Sequence, residues 1–143
     1  MKLIDSKFAP SVEGINVTKF GVIYFFKDFV VTEINEGEVY GLETSVELTK
    51  LIFEQYATKT NIHVISNRIN NYSVEPTYWF DFYKNEHADA LKSVSFVYYN
   101  ELAYSNAKLE QTFIQCDSEC FKNLHDAIDH ISKTQNKRTA CIK

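Results

Sequence analysis

The chain has 143 residues, 45% hydrophobic and 24% charged, with 15 Lys+Arg against 19 Asp+Glu for a formal net charge of −4. That balance suits one globular domain long enough to bury most of its apolar surface. It supplies no dense cationic stripe to neutralise a phosphate backbone, so no nucleic acid partner is expected.

No run is long and apolar enough to span a bilayer, and no apolar segment follows Lys2 as a secretory signal requires, so a cytoplasmic protein without membrane insertion is expected. The Asn-x-Ser/Thr matches at Asn16 and Asn71 then read as chance. Cys116, Cys120 and Cys141 are odd in number and lack zinc-ligand spacing, which reads as free thiols in a reducing compartment.

Residues 1–19 form a lead-in without strong periodicity. Phe20 to Phe26 and Phe29 to Asn35 are β-rich runs parted by Lys27-Asp28, which predicts an antiparallel pair with a tight connection. Apolar residues on both parities predict a sheet covered on both faces. Thr44-Ser45-Val46-Glu47 has capping-box spacing, and Leu48, Leu51, Ile52 and Tyr56 recur on one face of the helix it would start. A strand follows at Ile62 to Ser66. A second helix is expected from about Pro76, a residue tolerated in the first turn. Ser93 to Tyr99 reads as a strand, and Asn100 can cap a third helix to about Gln111. Thr112 to Cys116 looks strand-like, and the last helix is expected after Asp117-Ser118, with Phe121, Leu124, Ile128 and Ile131 as its apolar stripe. Lys133 to Lys143 reads as a flexible polar tail. This order predicts an α/β fold in one domain, 20–132, with a mixed, mainly parallel sheet of about five strands and about four helices.

Three stretches carry a family resemblance: Asp28 to Gly37, Ile65-Ser66-Asn67-Arg68-Ile69-Asn70-Asn71-Tyr72-Ser73-Val74-Glu75-Pro76, and the closing Phe121 with Ala127-Ile128. With the hairpin, helix and βα units around them, they resemble the STAS-like domain (the sulfate transporter and anti-sigma factor antagonist fold), and within it a group of small uncharacterised bacterial proteins. The resemblance covers roughly residues 20–132. It implies a phosphorylation switch at a serine opening the helix after the third strand, a position matched near Ser73. Asn71-Tyr72 precedes it where the family usually has aspartate, while Asp117-Ser118 carries that pair at the last helix instead.

The strand running into an amide-rich turn around Arg68 is the segment to watch, because ligands of α/β folds gather where strands end and helices begin. Arg68 offers a rigid fork for carboxylate or phosphate, or else pairs with an acidic neighbour to tie its loop to the sheet; the pair is favoured. Asn67, Asn70 and Asn71 suit the loop's own backbone bonding. Ser73 is a cap-region hydroxyl or a phosphorylation site. Trp79, Phe80, Phe82 and Tyr83 make a helix apolar around most of its girth; Trp79 and Phe82 are expected in the core, with Tyr72, Tyr78 and Tyr83 at a ligand or partner surface. His63 reads as a satisfied buried imidazole. His125 and His130 sit off a shared helical face, and Asp126 and Asp129 read as a solvated one. No metal site, cofactor or catalytic set is expected, so the chain reads as a non-enzyme. Two readings remain: an interaction or regulatory module acting on a protein partner or as a homodimer, and a binding protein for a small amphipathic ligand, lipid-like or anionic, held between Arg68 and the aromatic helix.

Overall fold

The computed structural model describes residues 1–58 and 61–142, with 135–142 by backbone course alone. Six strands form one sheet: β1 (Gly14–Val17), β2 (Gly21–Phe25), β3 (Val30–Ile34), β5 (Ile62–Asn67), β7 (Leu91–Val97) and β8 (Asp117–Phe121), side by side in that order. The first three are antiparallel, and β3, β5, β7 and β8 run parallel. Two short strands, β4 (Val39–Tyr40) and β6 (Ser73–Val74), pair parallel on their own. Among the described residues there are four α-helices: α1 (Leu42–Gln55), α2 (Tyr78–Phe82), α3 (Glu101–Gln111) and α4 (Leu124–Ile142). The predicted α/β class and mainly parallel sheet hold, with six strands rather than about five.

The β2–β3 turn is the tight one expected. Phe26 N donates to Phe29 O at 2.9 Å across Lys27-Asp28, and the two rings stack with centres 4.3 Å apart. Period-2 alternation then divides the core. Val31, Ile65 and Val97 meet Leu124, Ala127, Ile128 and Ile131 of α4 on one face, together with Leu3 of the N-terminal segment. Ile23, Val30, Ile34 and Ile62 meet Leu48 and Ile52 of α1 and Tyr56 just past its end on the other, where Tyr78, Trp79 and Ala107 of α2 and α3 continue the cover over Val94 and Phe96. Covered faces explain why the strands are apolar at both parities.

Three strands were not expected: the two-residue β4 and β6, and β1 inside the lead-in, four residues whose apolar Ile15 and Val17 are exposed, too short to show as a periodic run. Thr112 to Cys116 is not a strand. Thr112 and Phe113 close α3 by turning back to Leu109 and Glu110, and Phe113, Ile114 and Cys116 are apolar because they cover α2. The strand is Asp117–Phe121, an edge strand whose polar look follows from its exposure. The last helix therefore starts at Leu124 rather than after Ser118, with Asn123 Oδ1 accepting from Asp126 N at 2.8 Å as its cap. α1 begins two residues before the predicted capping threonine. Thr44 is already helical, and its hydroxyl donates to Val39 O at 3.1 Å. The tail predicted over 133–143, with Cys141, falls mostly outside the residues described by side chain.

Gly21 opens β2 opposite Ile34. A Cβ there would lie 2.3 Å from the Glu33 carbonyl oxygen and 2.8 Å from the Ile34 Cα, so only glycine lets the two backbones approach this closely. At Gly14 the nearest atom would be 3.7 Å away on the Phe25 ring, an ordinary contact. Gly21→Ala should cost about 1–3 kcal/mol of stability, the usual scale of overpacking, while Gly14→Ala stays within about 0.5 kcal/mol. Urea unfolding midpoints of the two variants check this, and equal midpoints would contradict it.

Candidate functional site

The turn after β5 sits at the carboxyl rim of the parallel strands, and alternation sends its polar residues to opposite faces. Asn67 goes to the α4 side and is buried. Its Nδ2 donates to a Glu33 carboxylate oxygen at 2.7 Å and to Met1 O at 2.9 Å, while its Oδ1 accepts from Tyr99 OH at 2.8 Å. Arg68 prolongs the ladder by donating its backbone N–H to Val97 O at 2.9 Å, and its side chain turns to the α1–α3 side.

There it is 95% buried and forms an ion pair through Nη2 with Glu110 of α3, itself fully buried. Arg68 Nε donates to Ser66 Oγ at 3.1 Å, and the guanidinium lies 4.6 Å from the Phe96 ring centre and 5.5 Å from that of Tyr72. The other carboxylate oxygen of Glu110 accepts from Tyr78 OH and, at 3.3 Å, from Trp79 Nε1. Nη1 of Arg68 is buried without a hydrogen-bond partner among the described residues. Burial by itself would lower the Arg68 pKa, but Tyr72 and Glu110 more than reverse this and hold it above its ordinary value. Burial, then Glu110, holds the Tyr78 and Tyr40 phenols well above theirs.

Arg68 borders a chamber of about 80 Å³ between the sheet and helices α1 and α2. Leu48, Ile52, Val64, Trp79, Phe82 and Phe96 give it apolar walls, and Thr32, Tyr40, Ser45, Ser66 and Tyr78 add hydroxyls. No His, Cys, Asp or Glu among the described residues lines it. Outside lies a groove of about 540 Å³ along α1, from Leu42 to Ala57, facing Asp81 to Ala90. The two spaces share Ser45, Thr49, Phe53 and Phe82, and the Phe53 and Phe82 ring centres are 6.4 Å apart at the junction. On its other flank Arg68 touches a void of about 10 Å³ beside Asn70, Asn71 and Tyr72, about the room one water needs.

Asn70 Nδ2 donates to Ile34 O at 2.9 Å; Asn71 accepts from Gly37 N at 2.8 Å and from Asn100 Nδ2 at 3.0 Å. Both hold the loop's shape. Tyr72 is buried, with its hydroxyl 3.5 Å from Ser66 Oγ. Ser73 is exposed on β6, well before α2 begins, so no helix N-terminus stands ready for a phosphate there. Tyr78 is buried rather than at a surface, and half-buried Tyr83 accepts from Gln115 N at 2.8 Å, tying α2 to the turn after α3. His63 Nδ1 lies 2.7 Å from Ser93 Oγ, its neighbour across the β5–β7 ladder. Sequence reasoning missed Glu110. Its signal was there: Ala103, Ala107 and Glu110 fall at i, i+4, i+7, the face α3 turns inward.

Among the described residues no group of three or more His, Cys, Asp or Glu could hold a metal ion, and no helix is long and apolar enough to cross a membrane. No family model and no curated protein matches the sequence. Among solved structures, the chain is similar to an uncharacterised protein of the DUF3478 family with a SpoIIAA-like fold from Shewanella loihica PV-4. The TM-score is 0.53 at 16% identity, covering 82% of this chain and 90% of that one. At such identity the likeness establishes the fold alone: the chain has the SpoIIAA-like, STAS-type fold that the resemblance implied.

Burial also raises Tyr56, Tyr83 and Tyr99 to about 12 from the ordinary 10.0. The folded chain thus keeps phenolic protons that the unfolded chain releases. The stability linked to them is intact below pH 10 and is lost as pH climbs through about 12. Tyrosinate absorbance of the native protein should show part of its nine tyrosines ionising late, with the urea midpoint falling over the same window. A single native transition near the ordinary tyrosine value would contradict the burial pattern.

Proposed function

We propose that this chain is a non-enzymatic binding module of the STAS-like fold that takes up a small, mainly apolar ligand between α1, α2 and the sheet. The observation that carries this reading is the apolar chamber under α1 and α2, which shares Ser45, Thr49, Phe53 and Phe82 with the larger groove outside. The groove outside has the volume of a ligand site, within about 300–1,000 Å³. The non-enzymatic part rests on the chamber, where no His, Cys, Asp or Glu among the described residues stands as a general base; Glu54, Asp81 and His87 belong to the open groove outside.

Trp79 is the sole tryptophan and lines the chamber, so its emission reports occupancy. Octanol should shift that emission and raise Tm, by an amount equivalent to about 2.7 kcal/mol at a hundred times Kd. Inorganic phosphate and nucleotides should do neither. Stabilisation by phosphate with none by octanol would replace the apolar chamber with an anion site.

A regulatory interaction surface is the second reading, and exposed apolar side chains favour it. Leu102 and Leu109 stand on one outer face of α3, more than half or half exposed, and Phe80 of α2 rests on Phe113 just past the end of α3, ring centres 5.2 Å apart. Apolar surface of this kind marks contacts, here with a protein partner or a second copy. Light scattering tests the homodimer: a dimer that Leu109→Lys returns to monomer supports it, and a monomer at every concentration sets it aside.

A further inference from the structure

We infer that the free edge of β1 is a contact for a second copy of this chain, the two strands joining antiparallel about a two-fold axis through Asn16.

β1 is the outermost strand, with β2 on one side only. Thr18 N donates to Gly21 O at 2.8 Å, and bonding alternates along an antiparallel strand. Gly14 and Asn16 therefore bond inward to β2, while Ile15 and Val17 turn their N–H and C=O to the open side. Among the described residues no hydrogen bond beyond the β1–β2 ladder reaches either of them. Their side chains are 52% and 79% exposed, on the face that carries Tyr24 and Val22 opposite them. An unpaired ladder and an apolar pair thus fall on the same two residues, the combination that invites an added strand.

Charge selects the occupant. The exposed side chains along this edge run Glu13, Ile15, Val17, Lys19, with acid at one end and base at the other. Turned antiparallel about Asn16, a second copy sets its Val17 against Ile15 and its Lys19 beside Glu13, and symmetry repeats both contacts. A register shifted by two residues would instead oppose Val17 to Glu13, or Ile15 to Lys19. Lys19 holds Glu43 at 3.1 Å only as an exposed surface pair, which a carboxylate across the interface can replace. The opposite edge of the sheet is guarded. On β8 the exposed side chains are Asp117 and Glu119, and a symmetric pairing centred on Ser118 or Glu119 meets acid with acid.

The ladder is short. Glu13 N is already spent on Phe25 O at 2.8 Å, so only Ile15 and Val17 of each copy exchange bonds, about four in all. Such an interface belongs to the weak class, dissociated at about 10 μM and formed at about 1 mM.

Sedimentation equilibrium of the full chain near neutral pH, across that range, is the test. The mass should rise from 16.6 kDa toward twice that value. Val17→Lys, at a side chain open to solvent, should hold the chain monomeric throughout, while Leu109→Lys should leave the dimer intact. Glu13→Lys should weaken association about ten-fold, like charges replacing two opposite pairs, and adding Lys19→Glu to it should restore the affinity. A chain still monomeric at the highest concentration overturns the inference. So does a dimer that Val17→Lys leaves unchanged, or a charge swap that fails to restore association. A dimer lost with Leu109→Lys and kept with Val17→Lys assigns the contact to α3 instead, overturning this inference and leaving the α3 surface standing.

Discussion

The Arg68–Glu110 pair is the constraint around which the helical side of this sheet is arranged. β5 delivers Arg68 one residue past its last strand position, α3 delivers Glu110 from its inner face, and Tyr78 and Trp79 of α2 close over the carboxylate. Removing one partner of such a pair costs about 3–5 kcal/mol, a large share of the about 5–15 kcal/mol that holds a domain folded. Chemistry alone does not set that figure. Lys19 and Glu43 pair at 3.1 Å with side chains 71% and 77% exposed, and such a surface pair is worth about 0–1 kcal/mol.

Stability is nevertheless a poor reason for the pair to exist. Apolar residues of the same volume often replace buried ions at no loss, and the surroundings of Phe96, Val94 and Ala107 would accept them. What an apolar replacement could not supply is the directional bonding by which one carboxylate gathers the end of β5, α2 and α3. Glu110 makes the buried guanidinium tolerable by balancing its charge, and Ser66 fixes its orientation through Nε.

Fold class was legible because the parallel strands carry their pattern openly: Val30 to Ile34 and Ile62 to Asn67 are buried almost throughout, and the α4 stripe repeats on one side. The errors cluster where exposure erased the pattern. β1 and β8 are the two edges of the sheet, half open to solvent, and neither looks like a core strand. Phe113 and Ile114 misled in the opposite direction, being apolar as the cap over α2 rather than as members of a ladder. Asn100 was read correctly because a cap is a local device: its side chain accepts from Ala103 N, three residues on.

The site was half legible, and for a definite reason. Sequence order marks Arg68 and the amides around it but says nothing of what meets them from residues 33 and 110. Asn67 and Arg68 are neighbours in the chain, yet a strand's alternation gives one to Glu33 and the N-terminal segment and the other to Glu110. Sequence alone leaves an ion pair and an anion clamp as alternatives for Arg68, which treats the guanidinium as a single charge. It carries five donor hydrogens on three nitrogens. Two nitrogens are spent on structure, toward Ser66 and Glu110, while the third is buried without a hydrogen-bond partner among the described residues. The same burial closes the guanidinium to solvent, so Arg68 ties the end of β5 to α3 through the full set of its neighbours and not through its charge alone.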